Sequence, residues 1–243
     1  MTPGPTGDAT LPEVAGATPP GHATLTTLDR ATAALVRLSA RITAGSEQEV
    51  REGFAECAAA AVDPVWIEEL VLQSYLFAGF PRALNAAREW GRGETVRGEG
   101  RGSGVKGRSE GEGRGERESS YAEVDEWRRR GEETCAIVYG EMYEKLRGNI
   151  RALHPELDEW MIVEGYGKVL SREGLDLARR ELCIVAACVA ARQDRQLHSH
   201  LHGARNTGVA ASVVDATLVA IGDVVPEGAL VTATLLWNRV RGK

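Results

Sequence analysis

The sequence predicts an all-α protein made of two helical domains, and two observations lead to this fold class. The 243 residues are 43% hydrophobic but only 5% aromatic, and many are alanine, which favours closely packed helices over sheets. The segment 180–191 (Arg-Glu-Leu-Cys-Ile-Val-Ala-Ala-Cys-Val-Ala-Ala) places apolar or small side chains on every side of a helix. A helix with this pattern packs all round, so we expect it at the centre of the core.

Composition divides the chain into four parts. Residues 1–24 are rich in Pro, Gly, Thr and Ala, which predicts a disordered N-terminal segment. A first helical domain is expected at 25–90. Residues 91–120 consist mainly of Gly, Arg, Glu and Ser and cannot bury enough apolar surface to fold, so they predict a flexible linker. A second helical domain is expected at 121–243.

Capping and breaking residues delimit the helices of the first domain. Thr26 or Thr27 can cap the first helix, and Asp63 before Pro64 opens the third. Gly79-Phe80-Pro81 permits a sharp bend before the fourth. The four expected helices are Thr27 to Leu38, Glu47 to Ala61, Pro64 to Gly79 and Arg82 to Trp90.

Turn and helix-breaking residues also delimit the helices of the second domain. A helix is expected from Tyr121 to about Ile150, and Pro155 ends it because proline disfavours helix at the residue before it. Another helix is expected from Glu156 to Leu170, followed by a turn into the central helix. The remaining helices are expected around Leu197 to Ala204, from Ser212 to Ile221, and from the break at Pro226 to Val240.

The two domains also align with each other. A shift of the chain by 147 residues, without a gap, places Leu28-Asp29 on Leu175-Asp176 and Trp90 on Trp237. The predicted helix breaks then coincide, so we expect an internal duplication.

Two residues near the central helix could carry out chemistry. Glu181 shares a helical stripe with Val185 and Cys188, so it should face packed neighbours. His200 lies at the edge of the buried stripe of the next helix, whereas His198 and His202 fall on the solvent side. Two simpler interpretations stay open. A Glu near a helix start is favoured by the helix dipole, and a half-buried His is often a hydrogen-bonded core residue.

The sequence offers little support for metal or thiol chemistry. His198 and His202, four residues apart, could share a metal, but no third ligand stands at a supporting spacing. Cys183 and Cys188 point about 140° apart on one helix, so they cannot form a C-x-x-C redox pair. We expect these cysteines to be small buried hydrophobes, and we expect no metal and no organic cofactor.

Charge and hydropathy exclude other classes of protein. A net charge of −6 argues against nucleic-acid binding. No apolar run approaches the roughly 18 residues of a membrane span, and the start lacks the basic and apolar regions of a signal peptide. A cytoplasmic location without membrane contact is therefore the expectation.

Three segments carry a resemblance to a known family: Tyr-Gly-Lys-Val-Leu-Ser-Arg-Glu-Gly-Leu-Asp at 166–176, Arg-Glu-Leu at 180–182, and Gln-Leu-His-Ser-His-Leu-His-Gly-Ala at 196–204. Together they resemble the carboxymuconolactone decarboxylase family and, more distantly, the AhpD-like alkylhydroperoxidases. The segment 69–87 of the first half is similar to another part of the same signature. The resemblance implies two AhpD-like all-helical domains in an obligate oligomer, and we expect a dimer or trimer of two-domain chains.

The resemblance also assigns residues. The acid of the hydroperoxidase branch falls on Glu181 and its late histidine on His200, while its two redox cysteines fall on Gln193 and Gln196. Each half retains the part of the signature that the other lacks. We therefore expect the two halves to pack together, and any site to combine Glu181 and His200 with the segment 79–85.

The leading hypothesis is a cofactor-free lyase that acts on a small carboxylated lactone or 3-oxo acid. His200 would move the proton and Glu181 would be its charge partner, while Arg172 or Arg180 would hold the substrate carboxylate and Gln196 would contact the substrate. Two alternatives stay open. One is an oligomeric helical protein that has lost its chemistry, and the other is a peroxide-handling protein that uses Cys183 or Cys188 as a single thiol.

Overall fold

The all-α prediction is confirmed over the part of the chain that the computed structural model describes, residues 24–97 and 121–242. These residues form helices and connecting turns without a β-strand, and one isolated bridge pairs Leu25 with Val209. Residues 1–23 and 98–120 lie outside the described part, and with them most of the predicted N-terminal segment and linker.

The first half contains the four expected helices, with different ends. They are α1 (Arg30–Ala44), α2 (Glu47–Ala59), α3 (Pro64–Ala78) and α4 (Phe80–Arg97). Asp29, and not a threonine, caps α1, because its Oδ1 accepts the Thr32 N–H at 2.7 Å. Helix α4 continues through residues 91–97, which the sequence placed in the linker. Trp90 is buried in the core and holds this helix in place. Extension of an existing helix by one residue costs little free energy, so the helix can continue into a segment whose composition predicts a linker.

The second half is more interrupted than predicted. It contains α5 (Tyr121–Tyr139), a 3₁₀ turn (Gly140–Met142), α6 (Tyr143–Leu153), α7 (Pro155–Trp160), a π-helix (Met161–Leu170), α8 (Leu177–Ala190), α9 (Asp194–Asn206), α10 (Ala211–Ala220) and α11 (Glu227–Arg241). The single helix expected from Tyr121 to Ile150 is therefore wrong, because Gly140 adopts φ +51° and divides it. The helix expected from Glu156 to Leu170 changes at Met161 into the π-helix, whose wider winding the apolar pattern did not reveal.

The starts of α8 to α11 follow those of α1 to α4 at a constant interval along the chain. Their first residues are related by the same 147-residue shift, in the pairs Arg30 and Leu177, Glu47 and Asp194, Pro64 and Ala211, and Phe80 and Glu227. The same register places Asp29 and Asp176 as caps of the two leading helices. This register supports a duplication, which stays a hypothesis.

The two halves share one hydrophobic core. Helix α1 packs against α8, and the Ser39 hydroxyl donates to the Cys183 carbonyl at 2.7 Å across that contact. Buried side chains from both halves belong to one cluster, including Leu35 and Leu182, which are both fully enclosed. Within 24–97 and 121–242, no helix is long and apolar enough to cross a membrane.

Helix α5 packs against both the π-helix and α9. The backbones of α5 and the π-helix meet at Gly131 and Gly167, where a Cβ on either residue would overlap the opposite main chain. Helix α5 also packs on α9, the helix that carries His200. Helix α5 therefore covers the side of α9 on which the candidate site lies.

Candidate active site

Glu181 is held inside the protein by the position of α8. The helix begins after Asp176, whose carboxylate accepts the Arg179 N–H at 3.0 Å, so Glu181 lies beyond the first turn. Its side chain has no exposed surface. The helix-dipole interpretation therefore does not explain this residue, because that effect is confined to the first turn.

His200 is the partner of Glu181. Its Nδ1 lies 2.9 Å from Glu181 Oε2, and the histidine is 5% exposed. The other two histidines of α9, His198 and His202, lie on the partly exposed face, where their rings meet edge to face at 5.0 Å. The sequence-based separation of the three histidines agrees with this geometry.

The Glu181 carboxylate is only partly satisfied. Oε2 faces His200, but Oε1 is buried and has no hydrogen-bond partner among the described residues. Buried polar atoms in native proteins are almost always paired, and the exceptions occur preferentially where a function compensates for the cost. The arrangement therefore favours a functional role over a purely structural one.

Aromatic rings from three elements surround the pair. Phe77 of α3 meets the His200 ring edge-on at 5.6 Å, and Tyr139 of α5 lies 6.4 Å from it. Tyr166 of the π-helix meets the Tyr139 ring at 6.2 Å. Burial raises the pKa of Tyr139, and nearby Glu181 raises it further, so this phenol stays protonated at neutral pH. The contact from the first half comes from Phe77, just before the segment 79–85 that the sequence indicated.

Gly203 makes room for the carboxylate. A Cβ at this position would overlap Glu181 Oε2 and approach Val138 Cγ1 to 2.8 Å. Sequence reasoning missed both Gly203 and the two tyrosines. The signal available was the glycine itself, one helical turn after His200 in a helix without other glycines.

A small cavity of about 220 Å³ adjoins the site. Phe77 lines it and also touches His200, so one side chain belongs to both. Gln196 lies one helical turn before His200 and lines the exposed side of this cavity. The full lining consists of Leu76, Phe77, Cys188, Ala191, Gln193 and Gln196.

The thiol in this cavity is not activated. Burial, together with the charge of Glu181, raises the pKa of Cys188 to about 12. A reactive cysteine needs a lowered pKa, because the thiolate is the nucleophile. Gln193 and Gln196 occupy the positions at which the resemblance places redox cysteines.

The comparison with known families covers the part of the chain that holds the pair. The model of the carboxymuconolactone decarboxylase family matches residues 141–236. Residues 141–236 are therefore similar to a carboxymuconolactone decarboxylase family domain. Glu181, His200 and the two glutamines lie within it, whereas Leu76 and Phe77 come from the first half. No curated protein matches the chain.

The carboxylate-binding role predicted for Arg180 does not fit its place in the structure. Arg180 is completely buried, and its guanidinium donates to Glu69 Oε2 at 2.7 Å, Gln73 Oε1 at 3.1 Å and the Leu175 carbonyl at 2.9 Å. Every nitrogen of this guanidinium already has a protein acceptor. Arg180 therefore links the two halves and cannot reach a substrate.

Arg172 is likewise placed away from His200. Its Nη2 donates to Glu69 Oε1 at 2.8 Å, and its exposed side borders an open cavity of about 510 Å³ together with Trp66. That cavity lies at the start of α8, whereas the cavity beside Phe77 lies near its end. Sequence spacing alone could not separate the two sites, because both flank the same helix.

Metal binding has no support in the described parts of either half. Within 24–97 and 121–242, no group of three or more His, Cys, Asp or Glu side chains is arranged to hold a metal ion. The chemistry that the described residues offer at this site is proton transfer by an acid–histidine pair.

Proposed function

We propose that this relative of the carboxymuconolactone decarboxylases is a cofactor-free enzyme that moves a proton at the carbon next to a carbonyl group of a small substrate. The observation that carries the proposal is the buried contact of 2.9 Å between Glu181 Oε2 and His200 Nδ1, beside a cavity that can admit a small molecule. An acid–histidine pair of this kind is a common proton-transfer unit in enzymes.

Glu181 would orient His200 and set its tautomer. A carboxylate at Nδ1 favours the form in which that nitrogen carries the proton, which leaves Nε2 as the base. When Nε2 takes a proton from the substrate carbon, Glu181 stabilises the resulting imidazolium. Substrate access to His200 requires a movement of the Phe77 side chain, because Phe77 lines the cavity and covers the imidazole edge.

The glutamines would act on the substrate oxygen. Removal of a proton next to a carbonyl places negative charge on its oxygen as an enolate, and amide N–H groups of Gln193 or Gln196 can donate to it. His200 then returns the proton to the same or to a neighbouring carbon. Loss of CO₂ from a 3-oxo acid would pass through the same enolate, which connects this chemistry with that of the lyase hypothesis.

The observations favour this proposal over the two alternatives. The raised pKa of Cys188 argues against a peroxide-handling role through a single thiol. A degenerate protein has no need to keep a carboxylate fully buried against a histidine, since an apolar residue would cost less.

Hydrogen exchange tests the proposal. Small γ-lactones and 3-oxo acids would be incubated with the protein in D₂O, and deuterium at the carbon next to the carbonyl would be measured by NMR. We expect incorporation that is lost in Glu181→Gln. If no compound of either class exchanges faster with the parent than with this variant, the proposed function is wrong.

A further inference from the structure

Three residues of α3 form a stripe that faces the second half of the chain. Glu69, Gln73 and Phe77 follow one another at intervals of four residues, so they lie on one face of the helix. Glu69 and Gln73 bind Arg180 of α8. Phe77 meets the His200 ring of α9 at 5.6 Å. One face of a first-half helix therefore contacts both helices that carry the acid–histidine pair.

Gln73 makes the central contact of this stripe, and it is only 1% exposed. Its Oε1 accepts a hydrogen bond from Arg180 Nη1 at 3.1 Å, and its Nε2 donates to the Arg180 carbonyl oxygen at 3.4 Å. The second bond holds the backbone of α8 at the peptide group that leads to Glu181. Buried hydrogen bonds of this kind are costly to leave unmade. Gln73 therefore fixes the position of α3 on α8 directly before the acid.

Phe77 follows Gln73 by one helical turn and lies in the last turn of α3. The helix ends at Ala78, and Gly79 after it adopts φ +81°. Helix ends open more readily than helix interiors. Phe77 both meets the His200 ring and lines the cavity of about 220 Å³. A shift of this last turn would therefore uncover the imidazole edge.

The second half lacks the stripe at the equivalent positions of the 147-residue register. Those positions hold Ala216, Ala220 and Val224. The first half in turn has Ala34 and Gly53 where the second half has Glu181 and His200. The stripe and the acid–histidine pair thus occur together at one of the two places that the register relates. The other place folds into helices without either, so the stripe is not a requirement of the helices themselves.

We propose that Gln73 is a positioning residue of the Glu181–His200 site, an inference that deepens the proposed function and rests on it. Its two bonds to Arg180 hold α3 in place, and α3 holds Phe77 against the imidazole. Phe77 controls access to the imidazole, so Gln73 acts on access through Phe77 without touching the substrate.

Chemical modification of His200 tests this coupling without turnover. Diethyl pyrocarbonate acylates accessible unprotonated imidazoles, and tandem mass spectrometry gives the rate of each histidine relative to His154, whose side chain is 59% exposed. Opening of the last turn of α3 should raise the His200 rate at least about tenfold in Phe77→Ala and at least about threefold in Gln73→Met. Equal His200 rates in the parent and in Gln73→Met overturn the proposal.

Two controls separate positioning from a general loosening of the fold. Ser74→Ala removes a buried hydrogen bond to the Val71 carbonyl within α3 and should leave the His200 rate within about twofold of the parent. His198, on the partly exposed face of α9, should keep the parent's rate in every variant. A parallel rise at His198 overturns the proposal, because it means that α9 opens as a whole.

The combination of two substitutions shows whether Gln73 acts through Phe77. If it does, Gln73→Met adds nothing to the His200 rate of Phe77→Ala, whereas independent effects multiply. In NMR spectra, the His200 ring resonances of Gln73→Met should move toward those of Phe77→Ala, because the neighbouring aromatic ring shifts them. Multiplied rates, or resonances that move in another direction, contradict the positioning role.

A second substitution covers the case in which Gln73→Met does not fold. Gln73→Glu keeps an acceptor for Arg180 Nη1, and the guanidinium keeps the new carboxyl ionised, so this side chain cannot donate to the Arg180 carbonyl. We expect its His200 rate to rise at least about threefold as well. A folded Gln73→Glu with the parent's His200 rate overturns the proposal.

These outcomes are independent of the exchange experiment. Coupled changes in His200 reactivity without deuterium exchange would support the action of Gln73 on His200 and contradict the enzyme. Deuterium exchange together with independent effects of the two substitutions would support the enzyme and contradict the positioning role.

Discussion

Glu69 and Arg180 form a buried ion pair across the two halves of the chain, with Nη2 of Arg180 2.7 Å from Oε2 of Glu69. Arg180 is fully enclosed, and the Glu69 side chain is 8% exposed. Removal of the carboxylate leaves an enclosed guanidinium short of an acceptor. We therefore expect Glu69→Gln to lower the free energy of unfolding by about 3 kcal/mol, measured by denaturant titration. A loss below about 1 kcal/mol would mean that the pair does not join the halves.

The same carboxylate predicts a pH dependence. Burial alone would raise the pKa of Glu69, but hydrogen bonds from Arg172 and Arg180 outweigh it and hold the pKa below its ordinary value. A carboxyl whose pKa is lowered on folding contributes stability above its unfolded pKa, and this contribution is lost as the pH falls through the folded pKa. Thermal midpoints of the parent should therefore fall more steeply than those of Glu69→Gln below about pH 4.5. Parallel curves would contradict this assignment.

Gly203 provides a test of the site geometry. A methyl group at this position would overlap Glu181 Oε2 and press on Val138. We expect Gly203→Ala to lower the free energy of unfolding by about 1–3 kcal/mol and to shift the His200 ring resonances in NMR. Gly148, where an added Cβ meets nothing within 4 Å, supplies the control substitution Gly148→Ala. Unchanged His200 resonances in Gly203→Ala would show that the carboxylate has room to move.

The cysteines should be inert. Burial raises the pKa of Cys188 to about 12, and Cys57 is enclosed with a similarly raised pKa. At pH 8 the folded protein should therefore react with a thiol reagent at a small fraction of the rate of the unfolded chain. Rapid modification of Cys188, or its oxidation by stoichiometric peroxide, would revive the peroxide-handling alternative.

Equivalent apolar residues are exposed on the outer faces of both halves. Leu72 and Val219 share one position of the 147-residue register, and Leu84 and Val231 share another. Exposed apolar groups of this kind favour association, so we expect a homo-oligomer of two or three chains by light scattering. The double variant Leu84→Glu with Val231→Glu should dissociate it, while Leu153→Glu on α6 should not. A monomeric parent at micromolar concentration would contradict the expectation.

The sequence predicted the features that depend on neighbouring residues, namely helix ends and the buried face of a helix. The Asp63-Pro64 start of α3 and the bend at Gly79 follow from capping and backbone preferences, and the structure confirms both. The placement of His200 inside and of His198 outside follows from helical periodicity alone.

Features that depend on distant partners were not predictable in this way. Arg180 resembles a substrate anchor until Glu69, 111 residues earlier, is placed beside it. Gly203 was missed for the same reason, because a side chain there would overlap the Glu181 carboxylate, which belongs to another helix. The π-helix was missed since its sequence has the same apolar character as an α-helix.

The most direct test of the account compares the three histidines of α9. Deuterium incorporation into a neutral γ-lactone would be measured for His200→Gln, His198→Gln and His202→Gln, with folding checked by circular dichroism. If His200 is the general acid or base, the exchange rate of His200→Gln should fall by about 100-fold or more. The rates of the other two variants should stay within a few-fold of the parent. Similar rates for all three variants would show that the Glu181–His200 pair does not carry the chemistry.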